Sequence, residues 1–147
     1  ETIGTNYKLS NVLSAIGVIQ MKKIDKIVET RIQKAKIYQE LLSKTDNIKP
    51  AYVGNNTRQT YQSYTCYIEK DGYRDKIRNA LADENIQSQI GTYALHLEPA
   101  YANMKKIGSL ENSTKLFNNA LTLPLHKNLS QEDQEKICKI INNVLNN

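Results

Sequence analysis

From Leu9 to Ser43, about 35 residues, the chain has no proline and a single glycine, Gly17. Within this stretch apolar residues recur at three- and four-residue steps. The first group is Leu9, Val12, Leu13, Ile16 and Ile19; the second is Ile24, Ile27, Val28, Ala35, Tyr38 and Leu42. That spacing places them on a helical face, with Lys22, Lys23, Lys26, Arg31, Lys34 and Lys36 falling mainly between them. One helix of this length exceeds the ordinary globular range. A bend near Met21–Asp25 is therefore expected, giving two consecutive helices, the first capped by Ser10. A long helical stretch beside a small domain reads as a connector whose apolar face needs a partner surface.

After Ser43 the pattern changes. Ile48 to Val53 reads as a short edge strand, because it contains a proline. Gly54-Asn55-Asn56-Thr57 is a polar turn. Ser63 to Glu69 alternates, with Tyr64, Cys66 and Ile68 on one face, as in a half-buried strand. Asp71-Gly72 ends it, and Asp71 is the expected cap of a helix marked by Tyr73, Ile77, Ala80 and Leu81. Ile86 to Ile90 is a further strand candidate. Gly91 to Tyr101 is irregular, and Leu110 to Leu121 reads as helix. Leu123-Pro124-Leu125 is a short extended piece. Ser130 with Asp133 forms a capping box before a last helix striped by Ile137, Ile140, Ile141, Val144 and Leu145. Strands interleaved with helices indicate the α/β class, here an α+β two-layer sandwich with helices on one face. The 147 residues suit one domain, or a helical segment plus a small domain.

Charge narrows the function. The chain has 20 basic and 15 acidic residues, net +5. Residues 1–49 hold nine of the basic and five of the acidic groups. Most cations are lysines, which ordinarily coat a solvated surface, so nucleic acid is not an expected partner. No apolar run reaches transmembrane length, and no leader precedes the first helix, so a cytoplasmic protein with no membrane partner is expected. Cys66 and Cys138 are expected as reduced, buried thiols. With His96 and His126 they lack metal-ligand spacing, so no metal is expected.

No catalytic set stands out. No glycine-rich phosphate loop and no nucleophile elbow occurs, and Asp83-Glu84 reads as solvated charge at a helix end. Two segments look specialised. Gly4-Thr5-Asn6-Tyr7-Lys8-Leu9-Ser10 sets an amide and an ammonium before a helix start, where N–H groups and the helix dipole favour an anion. Gly91 to Tyr101 carries His96 among Tyr93, Tyr101 and Pro99, as in a loop lining a ligand pocket. A plain turn with its cap, and a packed loop with a hydrogen-bonded histidine, are the structural alternatives.

Taken in order, these segments resemble one family. Gly4-Thr5-Asn6-Tyr7-Lys8-Leu9-Ser10, with Ala15-Ile16-Gly17 and Gln20-Met21, is similar to the "GxNYRM…AAxGxxQL" segment of the DegT/StrS family. These are pyridoxal-phosphate (PLP)-dependent sugar aminotransferases of the aspartate-aminotransferase fold. Arg31 to Leu42 resembles that family's basic connecting helix, and Tyr64 to Ile68 its "HxxxxY.I" strand. Ile90-Gly91-Thr92 with Leu95-His96-Leu97-Glu98-Pro99-Ala100-Tyr101 resembles "IGT…LHLQPAY". Leu121-Thr122-Leu123-Pro124-Leu125-His126 resembles "LSLPLH". The likeness covers essentially the whole chain, and only the C-terminal part of the family.

The resemblance implies residues 1–46 as connecting helices from the end of a cofactor domain, and 47–147 as the small C-terminal α/β domain. It implies amino transfer from glutamate to a keto-sugar nucleotide, with PLP held by the whole enzyme. The Schiff-base lysine would lie upstream, so no catalytic residue is expected here, no cofactor is expected on this chain alone, and the chain alone should be inactive. Asn6 matches an asparagine that reaches across the dimer to the cofactor phosphate of the other subunit. Lys8 stands where arginine is commoner; the cation remains and the bidentate fork is lost. His96 matches the histidine near the sugar-nucleotide site, and Tyr93 falls in the stretch that replaces an earlier family histidine, so these two are the candidate substrate contacts. The implied partners are the upstream domain, a second copy in a homodimer, glutamate and a nucleotide sugar. The competing expectation is a free-standing basic helical module, binding a partner protein or nucleic acid through the Leu9–Leu42 helices.

Overall fold

A computed structural model describes residues 8–146. The expected bend falls at Lys22 and Lys23, between α1 (Asn11–Met21) and α2 (Ile24–Leu42). Ser10 caps α1, its Oγ accepting the Leu13 N–H at 3.4 Å. Four short strands follow: β1 (Ile48–Pro50), β2 (Tyr64–Ile68), β3 (Gln89–Ile90) and β4 (Ala120–Leu123). They form one antiparallel sheet in the order β1-β2-β4-β3. Three more helices, α3 (Tyr73–Asp83), α4 (Glu111–Asn119) and α5 (Gln131–Asn146), complete the fold.

The alternation read in β2 holds: Tyr64, Cys66 and Ile68 are buried, while Thr65 and Tyr67 are half-buried on the opposite face. Ile48, Leu121 and Leu123 extend the inner face across neighbouring strands. Against it pack Ala35, Tyr38 and Leu42 of α2, Ile77 and Leu81 of α3, and Ile137, Cys138, Ile141 and Leu145 of α5. The two layers thus share one apolar core. Polar ties fix the helices to each other. Gln134 Nε2 donates to the Lys34 carbonyl at 2.9 Å, and Lys34 Nζ donates to the Leu129 carbonyl. The capping box forms as expected: Asp133 N–H donates to Ser130 Oγ at 3.0 Å, and Ser130 N–H to Asp133 Oδ2 at 2.9 Å. The Ser130 amide holds the Asp133 carboxyl below its ordinary range. Lys70 Nζ closes the other end of α5 on the Leu145 carbonyl at 2.8 Å, where a cation suits the helix terminus. Both thiols are free and buried, and burial pushes each up to about 12.

Three local expectations are corrected. The helix read through Leu121 ends at Asn119, and Ala120–Leu123 is instead a central strand. Leu116, Ala120 and Leu121 fit a helical period, but Leu121 and Leu123 also alternate, and pairing with both β2 and β3 decides for strand. The strand candidate at Ile86 to Ile90 is ordered as strand only at Gln89 and Ile90. Asp71 does not cap α3. The cap position is Gly72, at φ +77°, and Asp71 Oδ1 accepts from Asn119 Nδ2 at 2.8 Å.

One further contact shapes the link between β1 and β2. Tyr61 has φ +49°, the left-handed region that bulky residues rarely enter. Arg31 Nη1 holds it there, donating to the Tyr61 carbonyl at 2.8 Å, and Gln39 Nε2 donates to Tyr61 Oη at 3.1 Å. The basic face of α2 therefore anchors a loop rather than facing only water.

Candidate functional site

The first candidate lies at the head of α1. Lys8 and Leu9 lead into the Ser10 cap, and both are exposed. Ser10 spends its side chain on the Leu13 N–H and its carbonyl on the Ser14 N–H. The N–H groups of Asn11 and Val12 belong to the first turn, which has no intrahelical acceptor for them. Lys8 stands two residues before the Ser10 cap in the sequence. Donors at the positive end of a helix dipole suit one edge of a phosphate. They supply nothing for the remainder of a cofactor. Asn6 and the other residues before Lys8 lie outside the described residues.

α1 itself buries none of its residues. Val12 is 73% exposed, Met21 66%, Val18 57% and Leu13 54%. The apolar residues form no single stripe, because Val18 and Met21 lie off the face predicted from Leu9, Val12, Leu13, Ile16 and Ile19. A helix apolar on more than one side is ordinarily covered by a partner surface.

The second candidate is the loop after β3. Gly91 leaves the sheet with its N–H on the Ala120 carbonyl at 2.8 Å. Ala94 is fully buried and pins the loop. Two 3-10 turns follow, Leu95–Leu97 and Pro99–Tyr101, closed by Leu97 N–H to the Ala94 carbonyl at 2.8 Å and by Tyr101 N–H to the Glu98 carbonyl at 2.9 Å. These turns face Tyr93, Leu95, Leu97 and Tyr101 outward. Tyr93 is 65% exposed. His96 is half-buried, and its Nε2 lies 3.0 Å from Thr114 Oγ1 on α4. No hydrogen bond or ring contact among the described residues joins His96 to Tyr93.

α4 is held at its far end by groups that sequence reading did not single out. Arg74, buried, donates from Nη1 to the Phe117 carbonyl at 2.8 Å. Asn119, also buried, donates from Nδ2 to Asp71 at 2.8 Å and to Tyr67 Oη at 3.2 Å. No motif marks Thr114 or Asn119; their partners lie 18 and 48 residues away along the chain.

A cleft of about 640 Å³ includes neither His96 nor Tyr93. It lies between residues 84–89, the end of β4 and the start of α5, with His126 and Asp133 in its wall. Glu84 and Lys136 close an ion pair there at 2.8 Å, and the Lys136 hydrogen bond lowers the Glu84 carboxyl. So Glu84, read as solvated charge, has a partner on α5.

The sequence profile of the DegT/DnrJ/EryC1/StrS aminotransferase family matches residues 1–142. The chain belongs to this family. Among relatives of the family, GDP-perosamine synthase of Vibrio cholerae is 27% identical over 151 aligned residues, spanning 99% of this chain and 40% of the relative. The putative pyridoxal phosphate-dependent aminotransferase EpsN of Bacillus subtilis is 26% identical, spanning 95% and 37%. The crystal structure of a DegT/DnrJ/EryC1/StrS aminotransferase from Brucella abortus superposes with a TM-score of 0.81 at 27% identity, over 97% of this chain and 40% of that one. The chain thus spans about two fifths of the length of the curated relatives it matches.

Proposed function

We propose that this chain is the C-terminal part of a PLP-dependent nucleotide-sugar aminotransferase, which moves an amino group from glutamate to a keto-sugar nucleotide. The observation that carries this reading is the family match over residues 1–142, set against coverage of only two fifths of the relatives. The uncovered apolar α1 supports it, since an upstream domain would supply the missing partner surface. In this reading residues 1–46 connect to that domain, and 47–147 form the small domain. The end of α2 belongs to both, because Ala35, Tyr38 and Leu42 sit in the core.

Asn6, Lys8 and the head of α1 would hold the cofactor phosphate across a homodimer, by donors alone. His96 and Tyr93 would orient the sugar nucleotide, and the exposed loop from Tyr93 to Tyr101 would exclude water from it. PLP, when bound, supplies the electron sink that amino transfer requires. The whole enzyme would work in the cytoplasm.

The chain alone is expected to bind no PLP covalently and to transfer no amino group. Incubation with PLP, borohydride reduction and peptide mapping is the check. A stoichiometric adduct on one lysine of this chain, with turnover of glutamate, would overturn the reading.

A further inference from the structure

We propose that Thr114 is the positioning residue for His96: it holds the imidazole by Nε2–H and leaves Nδ1 as the nitrogen offered to the ligand, an acceptor in the neutral ring. This rests on the reading of His96 as a substrate contact, and it specifies the group that His96 meets.

Thr114 Oγ1 has two neighbours, His96 Nε2 at 3.0 Å and the Leu110 carbonyl at 3.1 Å. A hydroxyl has one proton. A carbonyl can only accept, so the Leu110 contact uses that proton. The contact to His96 must then run the other way, with Nε2–H donating to the Thr114 oxygen. In the neutral ring a protonated Nε2 leaves Nδ1 with a lone pair. Nδ1 has no hydrogen-bond partner among the described residues.

The threonine is well placed to impose this. It closes the first turn of α4, its N–H on the Leu110 carbonyl at 3.0 Å, and α4 is fixed at its far end by Arg74 on the Phe117 carbonyl and by Asn119 on Asp71. His96 sits in a 3-10 turn pinned by buried Ala94. A ring held at one nitrogen between two anchored elements has its orientation chosen before a ligand arrives, which reduces the ordering cost of binding. An Nδ1 acceptor pairs with a hydrogen-bond donor. The matching groups are a sugar hydroxyl or an ammonium, and a phosphate oxygen, itself an acceptor, is disfavoured while the ring is neutral.

The test has two arms. In the 147-residue chain, proton NMR at low temperature should show a protected His96 imidazole N–H at Nε2. The signal should survive in Thr114→Ser and vanish into solvent exchange in Thr114→Val, with the amide fingerprint of both variants retained. A protected proton at Nδ1, or one that persists in Thr114→Val, overturns the proposal. In the full-length enzyme, Thr114→Val should raise KM for the sugar nucleotide about fivefold, the worth of one ordinary hydrogen bond, with a smaller change in kcat. Thr114→Ser should restore it. If His96→Ala raises KM and Thr114→Val does not, the positioning role falls. If the NMR signature holds while His96→Ala leaves KM unchanged, the substrate-contact reading of His96 falls instead.

Discussion

Tyr38→Ala is expected to cost about 3–5 kcal/mol, the range for deleting a buried aromatic ring. Tyr38 is fully buried on α2, its ring 4.9 Å from that of Tyr64. Its hydroxyl donates to the Pro124 carbonyl at 3.1 Å, which ties α2 to the end of β4. Single domains hold only about 5–15 kcal/mol in total, so this one change removes much of the margin. Two milder variants separate the ring from the hydroxyl. Tyr38→Phe leaves the Pro124 carbonyl without its donor and should cost about 1 kcal/mol. The Tyr64 hydroxyl is buried with no partner, so Tyr64→Phe should be neutral or slightly stabilising. Urea unfolding of the three variants is the measurement. A loss below about 1 kcal/mol for Tyr38→Ala would mean that α2 is an appendage and not part of the core.

Gly91→Ala is expected to destabilise by about 2–3 kcal/mol, at the upper end of overpacking effects. A Cβ at position 91 would lie 2.5 Å from Ala120 Cβ, 2.8 Å from Thr65 Cγ2 and 3.0 Å from the Ala120 carbonyl carbon. The first two belong to short side chains on paired strands, and the third is backbone, so none can swing away. Relief requires the loop to lift from the sheet, and that loop leads to Ala94 and His96. Gly91→Ala should therefore broaden the amide signals of residues 92–98 as well as lower the unfolding midpoint. Ala120→Gly in the same background removes the closest contact and should recover part of the loss. A Gly91→Ala chain as stable as the parent would contradict the packing described here.

Much of the fold was legible because local pattern and tertiary demand agree. Tyr64, Cys66 and Ile68 alternate, and the sheet buries that face. Ser130 and Asp133 have capping-box spacing, and both bonds form. Reading failed where two patterns share residues. Leu116, Ala120 and Leu121 satisfy a helix, while Ala120 to Leu123 satisfies a strand, and only the partners on either side choose. The candidate site residues are read from linear motifs, Lys8 before a capped helix and His96 within its loop. What holds His96 was not legible, because Thr114 reaches it across a turn between separate elements. Nor was the tight seat of Gly91, which depends on Ala120 and Thr65 lying beneath it.

The central claim is that this chain works as the small domain of a longer aminotransferase. It is tested most directly by determining the reading frame upstream of Glu1. The expected result is an in-frame, domain-sized extension that carries the cofactor lysine and supplies the surface that α1 lacks. A frame that opens immediately before Glu1, with no such domain preceding it, would contradict the claim and favour a free-standing helical module.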